Sequence, residues 1–380
     1  MRDVRALAAR VLLEAEKGKR FVDEALEGHR TGGLSRRDRA LLTALVYGVA
    51  RRRRTLDWLI DRCAHRVDPG VRQILRVALF QVRFLSRIPR HAAVHEAVEQ
   101  AKAFGRGAAG FVNAVLRKAA DLELPDHPGV RSSHPDWLLA RWKRFPDLEA
   151  ILEADNAVLP VTARVNPLRP PPGAAGPMIE VEGDPADDPG FAEGRFTVQD
   201  ETSMKVAPLL DPKPGERVLD LCAAPGGKAT HLAELMGGEG LVVAVDLPGR
   251  IGLVRESARR LRLGNVRCAA GDGTRIAFRE PFDAVLLDAP CSNTGVLARR
   301  PDARWRLREA DIPRCAALQR ELLGNAARLL RPGGRLVYST CSLEPEENRV
   351  DAPGLRVVRE ELTRPTARAS GGYVALCVRE

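Results

Sequence analysis

The spacing of hydrophobic residues changes character near residue 217. Up to about residue 120, apolar residues recur every three or four positions, which indicates amphipathic helices. The clearest stretches are Val4–Leu13, Leu41–Val49, Leu56–Ile60 and Val71–Val82. Proline-containing pairs at 69–70 and 88–89 interrupt the pattern where turns are expected. The first third of the chain is therefore predicted to be a compact, all-α bundle.

From Arg217 onward, short apolar runs alternate with helical stretches. The runs are RVLDLCA, LVVAVDL, NVRCAA, FDAVLLDAP and GRLVYSTC, and the helical stretches are Gly227–Met236, Ile251–Leu261 and Pro313–Leu330. This alternation predicts an α/β domain with a doubly wound, mostly parallel sheet. Ligands of such sheets bind beyond the carboxyl ends of the strands, so we expect the functional residues there.

A proline- and glycine-rich segment lies between these two regions. It begins with the amphipathic stretch HPDWLLARWKRF and includes three successive prolines at 170–172, which favour an extended or turning chain. The predicted organisation is an all-α domain at 1–125, a connector or small subdomain at 126–200, and an α/β domain at 201–380.

Composition and charge indicate a globular protein with a polyanionic partner. Of 380 residues, 44% are hydrophobic and 29% are charged. No apolar run approaches the roughly 20 residues of a membrane span, and the N-terminus has no secretory pattern. We therefore expect a cytoplasmic protein without membrane contact. Residues 1–150 contain 29 Lys and Arg against 18 Asp and Glu, which accounts for the whole net charge of +10. This favours nucleic acid as partner, although an arginine-rich proteome would decorate any solvated surface similarly.

The turn after the first strand, CAAPGGK, resembles neither a dinucleotide fingerprint nor a Walker loop. Its glycines allow the backbone to approach a ligand closely. Asp246 ends the second strand 20 residues after Gly226, a distance that suits hydrogen bonds to ribose hydroxyls. Asp272 follows the third strand, where its carboxylate can accept from an adenine amino group. These features predict S-adenosylmethionine as cofactor; the alternative is that the acidic residues only cap helices.

Two cysteines follow strands of the predicted sheet: Cys291 in DAPCSNTG and Cys341 in YSTCSLEPEEN. Both thiols can therefore approach one bound substrate. A thiol near a methyl donor suits an acceptor that a nucleophile must first activate; carbon 5 of cytosine, for example, accepts a methyl group only after a nucleophile has added to carbon 6, and a thiolate suits this addition. The alternative for either residue is a buried structural cysteine. The chain has no CxxC pair or Cys/His cluster at zinc spacing, so no metal is expected.

The N-terminal stretches DRALLTALVYGVARRRRTLDWLI, IPRHAAVHEAVEQAK and GFVNAVLRK resemble the NusB-like RNA-binding domain. More narrowly, they resemble the version fused to bacterial ribosomal RNA cytosine methyltransferases. His91 and His95 lie four residues apart on one helix of this region, where a capping or packing role is expected rather than metal binding.

CAAPGGK, DAPCSNTG and STCSLEPEEN are similar to motifs of the RNA cytosine-5 methyltransferases, and with the N-terminal domain the resemblance narrows to the small-subunit ribosomal RNA methyltransferase B group. It covers about residues 4–350. The resemblance implies a Rossmann-like catalytic domain with Cys341 as nucleophile, Cys291 assisting product release, Asp288 contacting the cytosine, and Lys228 and Arg250 shaping the site. The expected cofactor-binding residues are Cys222, Ala223, Ala224, Pro225, Gly226, Gly227, Lys228, Asp246, Arg250, Asp272 and Asp288.

The resemblance also implies the substrate, a cytosine of 16S ribosomal RNA. We expect the basic N-terminal domain to hold this RNA, and we expect a monomer because the helical bundle can cover its own apolar faces. DNA cytosine-5 methyltransferases use a PCQ cysteine, whereas this chain has PCS and a later TCS, which points to RNA. Transfer RNA is an alternative substrate, and an RNA-binding assembly factor with an inactive methyltransferase half is an alternative function. After Asn348 we expect a helix of barely two turns and a terminal strand, GGYVALCVRE.

Overall fold

The computed structural model describes residues 3–18, 20–30 and 33–380. The chain forms two compact units. The first, here called the helical unit, comprises Met1–Asn156 and Arg300–Arg306; the second, the sheet unit, comprises Ala157–Arg299 and Leu307–Glu380. Residues 1, 2, 19, 31 and 32 of the predicted first domain lie outside the described residues. Each unit combines segments that are distant in sequence, so the division into two units does not test the three predicted domains, and their boundaries at 125 and 200 stay a prediction.

The helical unit confirms the all-α prediction. Its helices are α1 (Val4–Gly18), α2 (Val22–Arg30), α3 (Arg36–Arg51), α4 (Arg53–Asp61), α5 (Pro69–Phe84), α6 (Arg90–Ala101), α7 (Ala108–Ala119), α8 (Pro128–Arg131), α9 (Asp136–Trp142) and α10 (Leu148–Ala154). The apolar faces of α1–α7 bury a continuous core in which Leu42, Leu45, Leu56 and Leu75 are fully inaccessible. Helix α5 begins at Pro69, where a missing backbone N–H costs nothing, and Asp68 caps it.

The two histidines of α6 are both exposed. The residue that caps this helix is Pro89, which makes no side-chain capping hydrogen bond. The expected capping or packing role of His91 and His95 is therefore wrong, because both side chains lie on the solvent side of the helix while Ala93 and Ala97 face the core.

The sheet unit begins with a small antiparallel sheet in the order β2-β1-β3, where β1 is Thr162–Val165, β2 is Met178–Glu180 and β3 is Phe196–Val198. One short helix, α11 (Pro189–Ala192), lies between β2 and β3. Two more, α12 (Glu201–Met204) and α13 (Val206–Leu210), follow β3. Arg164 of β1 is buried, and its guanidinium donates to both carboxylate oxygens of Glu234. This ion pair connects the small sheet to the helix Gly227–Leu235, which packs on the second, seven-stranded sheet.

The larger sheet has seven strands in the order β6-β5-β4-β7-β8-β10-β9. The strands are β4 (Arg217–Asp220), β5 (Leu241–Asp246), β6 (Val266–Ala270), β7 (Phe282–Asp288), β8 (Leu330–Thr340), β9 (Leu355–Thr363) and β10 (Gly372–Arg379). Strands β6, β5, β4, β7 and β8 are parallel, and β10 is antiparallel to both of its neighbours. The predicted doubly wound, mostly parallel sheet is thus confirmed. The strand order reverses between β4 and β7, which is where such sheets form a ligand crevice.

Helices α14 (Gly227–Leu235), α15 (Ile251–Arg260) and α16 (Asp311–Leu329) cover the two faces of this sheet. Alternate strand residues face opposite sides: Val218 belongs to the core shared with α14 and α15, and Leu219 to the core shared with α16. Both faces are therefore buried, which explains the continuous apolar runs of the central strands.

The C-terminal region differs from the expected short helix. Residues 345–347 form a turn, and the chain then enters β9, which pairs with β10 along Leu355–Thr363. Pro353 and Gly354 disfavour a helix, and the β-branched pair Val357–Val358 favours a strand. Arginine and glutamate side chains along this exposed edge strand discourage pairing with another sheet.

Among the described residues, no helix combines the length and the apolar character needed to span a bilayer.

Candidate active site

The turn between β4 and α14 lies at the crevice and is tightly packed. Gly226 has a φ of +114°, and a Cβ at this position would lie 3.1 Å from the Cα of Val254. The Thr230 hydroxyl donates to the Gly226 carbonyl at 2.8 Å, and the Ser257 hydroxyl donates to the Pro225 carbonyl at 3.1 Å. The peptide bond before Pro225 is cis. The backbone of this turn is thus held against α15 and presented to the crevice without side-chain obstruction.

Asp246, at the end of β5, is buried and closes the side of this turn. Its carboxylate accepts hydrogen bonds from the backbone N–H groups of Ala224 at 2.9 Å and Leu247 at 2.8 Å. The Arg250 guanidinium lies 3.8 Å from the same carboxylate and donates to the Ala224 carbonyl at 3.4 Å. A carboxylate has about four acceptor positions, so Asp246 retains capacity for the two hydroxyls of a ribose.

Asp272 follows β6 and is exposed. Its carboxylate accepts from the backbone N–H of Thr274 at 2.9 Å and from the hydroxyl of the same residue at 2.8 Å. These two hydrogen bonds hold the pKa of Asp272 below its ordinary value. The Asp272 carboxylate is therefore an ionised, preoriented acceptor near the ends of the strands.

Asp220, which the sequence analysis did not single out, ends β4 in full burial. It faces the backbone N–H of Cys222, yet neither carboxylate oxygen has a partner of good hydrogen-bond geometry. Burial and then the negative charge of Asp288 raise the pKa of Asp220 to about 8. Its position as the last residue of a central strand was the sequence signal that could have identified it.

Lys228 and Asp288 form an ion pair across the crevice, with Nζ 2.7 Å from Oδ2. Ser339 of β8 donates to the other oxygen of Asp288 at 2.7 Å. Burial alone would lower the pKa of Lys228, but the Asp288 carboxylate outweighs it and the pKa is raised. Lys228 is therefore a fixed positive charge beside Asp288.

The two cysteines predicted at strand ends meet, with their sulfur atoms 3.0 Å apart. They follow neighbouring parallel strands, in which Asp288 of β7 pairs with Ser339 of β8. The hydrogen bond to Cys341 and then burial raise the pKa of Cys291 well above its ordinary value. Cys291 is therefore a protonated thiol at neutral pH in the free protein.

The Asn293 side chain also contacts the Cys341 thiol. The Cys341 Sγ donates to the Asn293 Oδ1 at 3.1 Å, while the Asn293 amide donates to the Cys291 carbonyl at 3.0 Å. The amide orientation follows from this second bond, because a rotated amide would bring two oxygen atoms together. Asn293 has a φ of +62°, a conformation that asparagine tolerates better than most residues.

Two family models match the sequence of this chain. One, for the 16S rRNA methyltransferase RsmB/F family, matches residues 207–360, and one for the NusB family matches residues 2–121. The probable ribosomal RNA small subunit methyltransferase B of Bacillus subtilis (strain 168) is 37% identical, over 91% of this chain and 86% of its own length. The ribosomal RNA small subunit methyltransferase B of Escherichia coli O1:K1 / APEC is 38% identical, over 83% of this chain and 81% of its own length.

The chain belongs to the ribosomal RNA small subunit methyltransferase B family. The crystal structure of PH0851 has a TM-score of 0.81 at 26% sequence identity, and the similarity covers 99% of each chain. The methyltransferase homolog protein from Pyrococcus horikoshii has a TM-score of 0.58 at 28% identity, over 67% of this chain and 98% of the other. The predicted family and fold are therefore confirmed.

In this member of the methyltransferase B family, a buried polar network supports the two cysteine loops. The Glu347 carboxylate accepts from the Ser292 backbone N–H at 2.9 Å and from its hydroxyl at 2.5 Å. The Ser292 and Ser342 hydroxyls lie 3.1 Å apart, and Thr294 accepts from the Leu343 backbone N–H at 2.9 Å. Burial raises the pKa of Glu347, although hydrogen bonds from Ser292 and Ser342 oppose this. Because each loop bonds the other, the two sulfur atoms are held together.

The remaining residues of the predicted cofactor loop lie along the same turn. Cys222 is half-buried, and burial raises the pKa of its thiol. Ala223 donates its backbone N–H to Val245 at 2.9 Å, and Gly227 begins α14. The structure thus brings the predicted residues to one edge of the sheet, where Pro225, Arg250 and Asp272 are exposed. Asp220, Asn293 and Glu347 were not among the residues predicted from sequence.

Proposed function

We propose that this chain transfers the methyl group of S-adenosylmethionine to carbon 5 of a cytosine in 16S ribosomal RNA. The observation that carries the proposal is the pair of thiols, 3.0 Å apart, beside the Lys228–Asp288 ion pair. The names of the relatives support ribosomal RNA as substrate. On this proposal the protein is cytoplasmic and monomeric, and its basic helical unit holds the RNA.

The residues of the crevice fit an adenosyl cofactor. The glycine turn lacks side chains that would block a ligand, Asp246 has free acceptor positions, and Asp220 has a buried carboxylate without a good partner. Cys222, Ala223, Ala224, Pro225, Gly226, Gly227, Asp246, Arg250 and Asp272 would surround the nucleoside part. Asp220 would face the ammonium group, whose charge offsets the cost of ionising a buried carboxyl. When bound, S-adenosylmethionine supplies an electrophilic methyl group.

Cys341 acts as the nucleophile. Its thiolate forms a bond to carbon 6 of the cytosine, and the electron pair displaced from the 5,6 double bond makes carbon 5 nucleophilic. Asp288 accepts from the N4 amino group on the edge of the base, and Lys228 balances its charge. The side-chain oxygen of Asn293 accepts a hydrogen bond from the Cys341 thiol and so orients this thiol before the reaction.

Cys291 assists product release. Once carbon 5 carries the methyl group, its proton must be removed so that the 5,6 double bond re-forms and the bond between sulfur and carbon 6 breaks. Cys291 first releases its own proton to solvent, and because its pKa is raised, the resulting thiolate is a correspondingly strong base that takes the proton from carbon 5. The Cys341 thiolate then leaves and the enzyme is regenerated.

The test uses radiolabelled S-adenosylmethionine and an unmodified small-subunit ribosomal RNA transcript. We expect Cys341→Ala to lower the rate at least about a thousandfold. We expect Cys291→Ala to accumulate a covalent RNA adduct on a denaturing gel, because the nucleophile adds but is not released. Cys63→Ala, in the helical unit, is the matched control and should label RNA normally.

Three outcomes contradict parts of the proposal. If the Cys341→Ala variant still labelled RNA, Cys341 would be excluded as the nucleophile. Labelling of transfer RNA but not of ribosomal RNA would retain the chemistry and change the substrate. If the wild-type protein bound RNA but neither S-adenosylmethionine nor S-adenosylhomocysteine in calorimetry, an RNA-binding assembly factor with an inactive methyltransferase half would be the better description.

A further inference from the structure

Helices α6 and α7 form an open groove on the helical unit, with a volume of about 610 Å³. Its lining consists of Arg90, His91, Val94, His95, Val98, Asn113 and Arg117. These residues come from IPRHAAVHEAVEQAK and GFVNAVLRK, the two most distinctive N-terminal stretches of the sequence. The volume falls within the range of sites for ligands, about 300–1,000 Å³.

The lining of this groove, here called the α6–α7 groove, contains basic and neutral polar groups but no carboxylate. Arg90 is held by two hydrogen bonds to Asp121, which ties the start of α6 to the end of α7. Arg117 is exposed and makes no ion pair within the described parts of the chain. The groove therefore contains one fixed arginine and one available arginine.

The other lining groups suit nucleotides. Val94 and Val98 are half-buried and form an apolar floor, and Asn113 is a half-buried amide that can donate and accept. His91 and His95 present imidazoles about one helical turn apart on the exposed side of α6. Aromatic rings, including imidazole, stack on unpaired bases, and arginine binds phosphate.

We propose that the α6–α7 groove binds a single-stranded segment of the RNA substrate, with Arg117 on a phosphate and the imidazoles of His91 and His95 stacked on bases. This inference rests on the proposed function, because it takes the same RNA as ligand. The basic, carboxylate-free lining favours a polyanion over an apolar protein segment, and the two exposed imidazoles, which can stack on bases, favour RNA over an acidic protein segment.

The experiment measures the Kd of full-length protein for a labelled small-subunit ribosomal RNA transcript at several salt concentrations. Each phosphate contact contributes about 0.7 to the slope of log K against log salt for single strands. We expect Arg117→Ala to reduce the slope by about 0.7 and to weaken binding about fourfold at 0.15 M salt. Lys118→Ala is the matched control, since this exposed neighbour on α7 does not line the groove, and it should leave both quantities close to wild type.

The stacking residues are tested separately. The double variant His91→Ala/His95→Ala should weaken binding about fivefold or more, the effect typical of losing a base stack. For methylation, both groove variants should raise KM and leave kcat unchanged, because the crevice residues are untouched. Unchanged thermal unfolding confirms that the variants fold.

Two results would overturn the inference, and they are distinguishable. If wild type binds and methylates RNA but Arg117→Ala and Lys118→Ala behave alike, the groove is no RNA site and a protein partner becomes the better occupant, while the proposed function stands. If wild type neither binds nor methylates the transcript, the inference and the proposed function fail together.

Discussion

At the scale of single residues, burial changes what identical side chains can do. Asp220 ends one strand of the larger sheet and Asp272 lies just beyond another, yet the pKa of the first is raised to about 8 and that of the second is lowered. Asp220 is buried without a good partner, whereas the Asp272 carboxylate accepts two hydrogen bonds from Thr274. An aspartate at a strand end is thus visible in sequence, but its ionisation depends on contacts.

Asp220→Asn should make stability less sensitive to pH. Below about pH 4 both the folded and the unfolded wild-type protein hold the Asp220 proton, so its contribution is fully present. As the pH rises toward 8, the unfolded state releases the proton first and the wild type loses stability, whereas asparagine does not titrate. Without cofactor, we expect the variant to gain about 1 kcal/mol or more relative to wild type between pH 5 and pH 8.

Urea unfolding at a series of pH values measures this difference. A constant difference across the range would show that Asp220 is ionised in the folded protein. The same variant should bind S-adenosylmethionine more weakly in calorimetry, because the carboxylate that would face the ammonium group is lost.

At the scale of elements, the β4–α14 turn combines a strained backbone with close packing. Gly226 is required twice over, by its positive φ and by its contact with α15, while the adjacent Gly227 has neither constraint. The sequence predicted that the glycines of this turn allow the backbone to approach a ligand closely. Only the packed structure distinguishes which glycine is indispensable for the fold.

Gly226→Ala should destabilise the sheet unit by about 1–3 kcal/mol, the usual cost of such a backbone conformation for a residue with a Cβ. Gly227→Ala is the matched control, since no atom lies within 4 Å of its added Cβ and it begins a helix. Far-ultraviolet circular dichroism in urea measures both. Equal stabilities of the two variants would contradict the assigned packing of the turn.

At the scale of the whole molecule, a segment from the catalytic half of the sequence belongs to the helical unit. Arg304 is fully buried there, and its guanidinium donates to the carbonyls of Ser133 at 3.1 Å and Asp155 at 2.9 Å. The Trp305 indole donates to the Ala50 carbonyl at 2.8 Å. The sequence contains no signal that residues 300–306 pack with the helical unit, because the contacts of Arg304 and Trp305 join residues more than 140 positions apart.

Arg304→Met should destabilise the helical unit by about 2–5 kcal/mol, because it leaves the buried carbonyl oxygens of Ser133 and Asp155 without their donor. All four tryptophans, Trp58, Trp137, Trp142 and Trp305, belong to this unit, so tryptophan fluorescence in urea reports its unfolding selectively. Arg300→Met, at an exposed position of the same segment, should cost less than about 1 kcal/mol. Equal losses in the two variants would contradict a structural role for the buried guanidinium.

Residue patterns along the chain were sufficient to predict the helical bundle, the mostly parallel sheet, the glycine turn and the two cysteines at strand ends. These features depend on local periodicity and on the rule that parallel strands present their carboxyl ends at one edge. The expected helix after Asn348 was wrong because edge pairing with β10 outweighed a weak helical signal.

Tertiary structure alone decided which side chains touch. The contact between the Cys291 and Cys341 sulfur atoms joins residues 50 positions apart, and the Ser292–Glu347 bond joins residues 55 apart. The exposure of His91 and His95 likewise follows from which face of α6 meets the bundle. Such contacts depend on the packing of distant segments, which residue spacing along the chain does not encode.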